Sequence, residues 1–214
     1  MLEINKYYNM DCMEGMKQFP DKFFELAIVD PPYGIGIGWD GMGVITDAGH
    51  YEDKGWNNSI PNKEYFDELY RVSKNQIIWG CNFYGGFIKG AGRIVWDKKG
   101  RNHVFSHCDI AYQSFNNNNY MYEFVWIGCM RGKGEKKEKR IHPTQKPIQL
   151  YIHCLTKWAK PNDKILDTHV GSGSSIIAFK KHNFDYVGFE IDKDYYKDSS
   201  KRINDFKFSN IEYF

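Results

Sequence analysis

Apolar residues along the chain fall into short unbroken runs, separated by stretches in which they recur with helical period. The run FELAIVDPPYG (residues 24–34) is nearly continuous and ends abruptly at an acid and two prolines. A strand covered on both faces loses its polar alternation, so this run predicts a buried parallel strand. Pro31 and Pro32 let neither strand nor helix continue, which leaves Asp30 in a loop at the strand's carboxyl end. Residues 35–59 are rich in Gly, Asp and Asn without period and read as a long loop, a kind usually functional or mobile inside a compact domain. NKEYFDELYRVSK (62–74) places Tyr65, Phe66, Leu69, Tyr70 and Val72 on one helical face, and QIIWGCNF (76–83) predicts the next buried strand.

Three more strand-like runs follow, at 92–98, 108–115 and 122–128. No helical pattern separates them, which predicts antiparallel pairing at the sheet's edge, with the Asn116–Asn119 run as a hairpin loop. A helix is predicted over 147–158, with Leu150, Tyr151, Cys154, Leu155 and Trp158 on one face. Residues 160–163 make a turn, and KILD is a short strand. VGSGSS turns into the helix SSIIAFKKHN, DYVGFEID (185–192) is a last parallel strand, and KDYYKDSSKRI is a closing helix. Strands alternating with helices at both ends predict an α/β doubly wound, Rossmann-like sheet, mostly parallel, with antiparallel edge strands.

The length, 214 residues, suits one domain (1–214), with residues 97–140 as a short hairpin and basic-loop insertion, the candidate target-recognition region. Mean hydropathy is −0.62, no apolar run approaches a membrane span, and the first residues lack a signal-peptide pattern, so no membrane partner and a cytoplasmic location are expected. Five cysteines, odd in number and without a CxxC pair, read as buried thiols; neither a disulfide framework nor a metal site is indicated. Net charge is only +2, but residues 131–140 (RGKGEKKEKR) hold six basic and two acidic side chains, net +4, leaving −2 for the rest. Such a segment is either a solvated loop or a phosphate-contacting one.

Two constellations carry chemistry. The first is DTHVGSGS (167–174) with Glu190 downstream. A glycine turn after a strand admits a ligand close to the backbone, and an acid ending the next strand can hydrogen-bond both hydroxyls of a ribose. Gly171 to Glu190 is 19 residues, close to the roughly 20 of a nucleoside-binding βαβ unit. A pyrophosphate GxGxxG is missing, which suits a nucleoside cofactor without phosphates. The second is Asp30-Pro31-Pro32-Tyr33. The amine of adenine or cytosine is a poor nucleophile because its lone pair is delocalised into the ring. A carboxylate (Asp30) and a backbone carbonyl (Pro31) can each accept one amine hydrogen and localise that pair, while Tyr33 stacks on the base; this is positioning and electrostatics without a covalent intermediate. Methylation at carbon 5 of cytosine needs a cysteine nucleophile instead, and there is no Pro-Cys dipeptide.

DPPYG, HPTQKP (142–147) and GSGSS in this order resemble the β group of DNA amino-methyltransferases, with a match running from about Asn9 to Tyr196. The resemblance implies the class I methyltransferase fold in permuted order, S-adenosyl-L-methionine as cofactor and double-stranded DNA as partner. It implies catalytic roles for Asp30, Pro31, Pro32 and Tyr33, and places Asp11 on the cofactor's adenine, with Cys81 to Phe83 flanking it. Thr144 and Lys146 fall near the methionine end, Asp167 and the turn Gly171, Ser172, Gly173, Ser174 beside the cofactor, and Glu190 on the ribose. His142 reads as a surface or loop histidine. Where the family usually has Pro-Phe after the acid of the glycine motif, this chain has Thr168-His169, which keeps a ring at the second position.

The expected activity is methyl transfer to the 6-amino group of adenine after base flipping, since the cytosine-amine enzymes more often carry Ser at the place of Asp30. Methylation of cytosine N4, RNA adenine or a protein glutamine amide, and a non-catalytic nucleic-acid-binding remnant, are the alternatives. Trp39 and Trp56 either close over the flipped base or anchor the core; Trp39, Lys133, Lys136, Lys137, Lys139 and Arg140 are the candidate nucleic-acid contacts. The shortness of 97–140 implies a homodimer or a very short target, and the compactness suggests a prokaryotic or phage-encoded enzyme.

Overall fold

The computed structural model describes residues 1–36, 54–100, 106–127, 130–131 and 140–206. Its strands are β1 (Lys6–Asn9), β2 (Phe24–Val29), β3 (Ser73–Trp79), β4 (Arg93–Asp97), β5 (Cys108–Gln113), β6 (Asn119–Glu123), β7 (Trp126–Ile127), β8 (Met130–Arg131), β9 (Lys164–Asp167) and β10 (Asp185–Glu190). The helices are α1 (Cys12–Met16), α2 (Lys63–Val72), α3 (Ile148–Trp158), α4 (Ser174–Lys181) and α5 (Lys193–Asp205). Eight strands form one sheet in the order β1-β10-β9-β2-β3-β5-β4-β6, and β7 pairs with β8 apart from it.

Side chains of the central strands alternate between two cores. Leu26, Ile28, Ile77, Trp79 and Ile165 join the apolar faces of α3, α4 and α5 on one side of the sheet. Ala27, Val29, Ile78, Leu166 and Val187 join Met16 of α1 and Tyr65, Phe66, Leu69, Tyr70 and Val72 of α2 on the other. Each large apolar side chain so buried stabilises by about 1.5–3 kcal/mol, which is why both faces of these strands read as apolar. Local signals set the helix starts: Asn62 accepts from the Tyr65 amide (3.1 Å) to cap α2, and Asp192 accepts from the Asp194 and Tyr195 amides (2.9 Å each) to cap α5.

The sheet is mostly parallel, as the periodicity implies, but its edge differs from expectation. β5 is the antiparallel strand, flanked by β3 and β4, whereas the edge strand β6 runs parallel to β4. The expected hairpin through Asn116–Asn119 is therefore a crossover past the end of β4, and Asn119 already pairs with Arg93. Gln113, fully buried, organises it: its amide donates to the carbonyls of Asn116 (2.8 Å) and Asn118 (3.0 Å), and its carbonyl accepts from the Phe115 amide (2.8 Å). Gly92 makes room, because a Cβ there would lie 2.1 Å from the Asn116 carbonyl oxygen. The strand expected at 122–128 accordingly begins earlier and stops at Glu123.

The strand expected at 76–83 also shifts. Helix α2 runs directly into β3 at Ser73, and β3 stops at Trp79 because Gly80 adopts φ +72°. Cys81–Phe83 is a 3₁₀ turn. Strands β1, β10, β9, β2 and β3 are mutually parallel, so Asp30, Asp167 and Glu190 all emerge at the same edge of the sheet, where open α/β sheets hold their ligands. Among the described residues, no helix is long and apolar enough to cross a membrane.

Candidate active site

Asp30 follows β2 directly and is held from two sides. The Tyr33 hydroxyl donates to its Oδ1 at 2.7 Å, the Lys146 ammonium pairs with its Oδ2, and Lys146 Nζ also donates to the Tyr33 hydroxyl at 3.0 Å. The two side chains of the ion pair are only 7% and 14% exposed, so it lies out of bulk solvent. Burial and the Asp30 charge push the Tyr33 phenol well above its ordinary range, keeping it a donor. The carbonyl of Pro31 accepts from the Tyr84 hydroxyl at 2.7 Å. Asn57, buried, accepts from the Tyr33 amide and donates to the Gly36 carbonyl, both at 2.7 Å, which fixes the loop after the prolines.

Tyr33 is packed from a second side as well. Its ring stacks on Phe83 (centroids 4.8 Å apart, planes 16° apart) and lies across Gly80, where a Cβ would come within 2.1 Å of it. A residue with φ +72° and no side chain is what lets the ring turn inward and tie down Asp30. The two acceptors assigned to an incoming amine, Asp30 and Pro31, thus carry internal donors.

The glycine turn is built from behind. Gly171 (φ +53°) and Gly173 (φ +82°) take left-handed conformations. Gly173 packs on Ile203 and Ser199 of α5, and buried Arg202 donates to the Ser172 carbonyl (2.8 Å) and the Ser174 hydroxyl (2.9 Å). Ser174 Oγ donates in turn to the Lys146 carbonyl at 2.8 Å, so Lys146 touches the glycine turn with its backbone and Asp30 with its side chain. Glu190 accepts from the Gly171 amide on Oε2 and the Asp192 amide on Oε1, both at 2.9 Å. Those two bonds orient the carboxylate and leave a lone pair on each oxygen.

A cleft of about 190 Å³ opens between these elements. It brings together Asp30, Pro32, Thr144 and Lys146 with Gly171, Ser172 and Glu190. Asp11, Pro31, Tyr33, Cys81, Phe83, Asp167, Gly173 and Ser174 do not line it. Asp11 caps α1 by accepting from the Met13 amide (2.7 Å), and Cys81 is buried in the α1–α2 core. Asp167 lies beneath the turn and accepts from the His169 amide (3.0 Å), with burial pushing its carboxyl up to about 7. Arg140 sits 5.3 Å from the centre of the Trp126 ring. Trp39, Lys133, Lys136, Lys137 and Lys139 lie outside the described residues.

Several residues at the site escape sequence reasoning. His142, read as a surface or loop histidine, does lie in a loop but is buried in the cleft, 4.4 Å from the Tyr195 ring and 5.2 Å from Trp56. Burial, then the nearby Lys146 charge, pushes it down to about 3, so it is neutral. His169 lines the cleft too, lowered by burial to about 4 and set edge-on to Tyr65 at 5.3 Å. Thr168 shares a 2.7 Å hydrogen bond with the Tyr65 hydroxyl, so the Thr168-His169 departure ties the glycine turn to α2. The roles of Asn57, Tyr84 and Arg202 rest on contacts between distant segments and leave no local signal.

The sequence profile of the DNA methylase family matches residues 93–201. Among curated relatives, the type II methyltransferase M1.MboII of Moraxella bovis is 26% identical, with 95% of this chain and 98% of the relative aligned. Among solved structures, M1.HpyAVI in complex with SAM superposes with a TM-score of 0.60 at 19% identity, covering 93% of this chain and 98% of that one. The cytosine-N4-specific PvuII DNA methyltransferase superposes with a TM-score of 0.61 at 10% identity, covering 98% of this chain and 90% of that one.

Proposed function

We propose a reaction for this chain from the premise that it belongs to the DNA methylase family, whose profile spans residues 93–201. It is a DNA amino-methyltransferase with S-adenosyl-L-methionine as cofactor, and its target, in our reading, is the 6-amino group of adenine flipped from double-stranded DNA. One observation carries this: the carboxylate and proline of the DPPY loop share a single cleft with the glycine turn and Glu190.

The donor set fits a nucleoside cofactor. Glu190, fixed by two backbone amides, keeps one lone pair per oxygen for the two hydroxyls of a ribose, and Gly171 presents no Cβ to the cleft. Bound S-adenosyl-L-methionine supplies an electrophilic methyl group on a sulfonium. The chain's own residues prepare the nucleophile. Asp30 and the Pro31 carbonyl accept the two amine hydrogens, taking them in place of the Tyr33, Lys146 and Tyr84 donors that hold them now. Two strong acceptors in a site shielded from water localise the nitrogen lone pair, and Asp30 is the carboxylate nearest to receive the proton the methylated amine sheds. Neutral His142 and His169 add no positive charge against the sulfonium.

Adenine is favoured by the acid at position 30, where the resembling cytosine-amine enzymes more often carry serine. We place the reaction in a prokaryotic cytoplasm, with the 97–140 region and a second copy of the chain completing the DNA contact. The deciding test is modification-sensitive sequencing of DNA from cells expressing the chain. N6-methyladenine in a fixed context is expected; N4-methylcytosine would overturn the base assignment, and unmodified DNA alongside folded protein would overturn the reaction. Asp30→Asn should erase the mark while leaving S-adenosylhomocysteine binding within about twofold.

A further inference from the structure

Trp56 sits in the loop that follows the DPPY segment, yet its ring lines the cleft with Glu190, Asp192 and Tyr195 rather than standing over Tyr33. Its indole lies 5.2 Å from the His142 ring, which lies 4.4 Å from Tyr195, so three rings form one side of the cleft. Two grips hold it there. On one side, Lys54 donates to both carboxylate oxygens of Asp192 (2.9 Å each) and to Asp194 (2.6 Å), and its ammonium stands 4.9 Å over the Tyr195 ring. These bonds pin residues 54–56 to the first turn of α5, just past Glu190. On the other side, buried Asn57 binds the Tyr33 amide and the Gly36 carbonyl. Consecutive side chains therefore face different halves of the site, Trp56 the cofactor half and Asn57 the DPPY loop.

We propose that Trp56 is a cofactor-binding residue forming one wall of the S-adenosylmethionine site, and that Asn57 couples cofactor occupancy to the posture of the DPPY loop. This rests on the reading of the cleft as a cofactor site. An indole wall removes apolar and aromatic cofactor surface from water, and it can form only while residues 54–57 are docked. Cofactor bound against Trp56 must then favour the same docked segment whose Asn57 orders the loop carrying Asp30, and that differential affinity is what coupling requires.

Titration with S-adenosylhomocysteine, followed by tryptophan fluorescence and calorimetry, tests the proposal. Wild-type protein should show a saturable fluorescence change. Trp56→Phe should lose most of that change and bind at least tenfold more weakly, whereas Trp158→Phe, at the far end of α3, should keep both. Asn57→Ala touches no wall of the cleft, so weakening by about fivefold, together with a fall in kcat at unchanged KM for DNA, is the signature of coupling. Hydrogen exchange on the wild-type protein gives a measure independent of any variant's folding: residues 54–58 and 33–36 should gain protection together on binding. Wild-type binding with Trp56→Phe equal to it in affinity and fluorescence, or exchange at 54–58 unchanged, would overturn the proposal alone. No binding to wild-type protein at millimolar ligand would overturn the cofactor reading and the proposal with it.

Discussion

Lys146 reaches Asp30 across 116 residues of chain, and the pair is nearly cut off from solvent. Removing one partner of such a pair strands the other charge, so Lys146→Met should cost about 3–5 kcal/mol in urea unfolding. A loss below about 1 kcal/mol would show that Asp30 is compensated elsewhere. The buried titrating groups set two opposed pH limbs. Burial lowers His142 to about 3 and His169 to about 4, whereas both titrate near 6.5 when unfolded. The unfolded chain thus binds more protons below about pH 6.5, and stability should fall as pH drops from there toward 4. Asp167 acts in the other sense: raised to about 7, it holds a proton when folded that the unfolded chain releases near 3.8, so its contribution is lost as pH rises from about 4 through 7. Unfolding midpoints from pH 4.5 to 8 should show His142→Gln flattening the acid limb and Asp167→Asn flattening the other. At this scale sequence reading set Asp30, Asp167 and Glu190 at the ends of strands, because the apolar runs that stop there announce them. It missed the burial of His142, because HPTQKP shows nothing of the Trp56 and Tyr195 rings that enclose it.

Helices α3, α4 and α5 follow from apolar period, with Asp192 capping α5 as well, signals contained within each segment. The β4–β6 edge does not, since three strands in succession read alike whether they pair as hairpins or cross over. What decides is Gly92 under the Asn116 carbonyl and Gln113 filling the turn. Gly92→Ala, with its Cβ driven to 2.1 Å of a backbone oxygen, should therefore destabilise by more than about 3 kcal/mol and open β6 first to hydrogen exchange. An ordinary surface cost of about 0.5 kcal/mol would refute this account of the crossover. The glycine turn depends on another element in the same way. Arg202 of α5 bonds the Ser172 carbonyl and the Ser174 hydroxyl from behind. Arg202→Met leaves those buried acceptors short of a donor, with an expected cost of about 2–3 kcal/mol. S-adenosylhomocysteine affinity should fall about tenfold, although Arg202 does not line the cleft.

The two chemistries meet because β2 and β9 are neighbours, pairing Leu26 with Ile165 and Ala27 with Leu166. Adjacent parallel strands lie about 4.8 Å apart, so the loops leaving their carboxyl ends, one with Asp30 and one with Asp167 and the glycine turn, share one opening. Motif order identified both loops; only the pairing of strands 135 or more residues apart joins them, and short apolar runs do not say which neighbours they choose. The chain closes in the same manner at the far edge, where its first strand pairs with its last. The Asn5 backbone amide donates to the Tyr186 carbonyl (2.7 Å), Tyr7 shares a 2.7 Å hydrogen bond with Ser199 of α5, and the Asn9 side-chain Nδ2 donates to the carbonyls of Glu190 (2.8 Å) and Ile191 (3.1 Å). The first ten residues thus hold β10 and α5, which carry Glu190 and the support of the glycine turn. Deleting residues 1–10 should uncover β10 and α5 in hydrogen exchange and weaken S-adenosylhomocysteine binding by at least tenfold, with β2, β3 and β4 keeping their protection. Loss of protection spread evenly over all eight strands would show instead that β1 supports the sheet as a whole and not the part that carries Glu190.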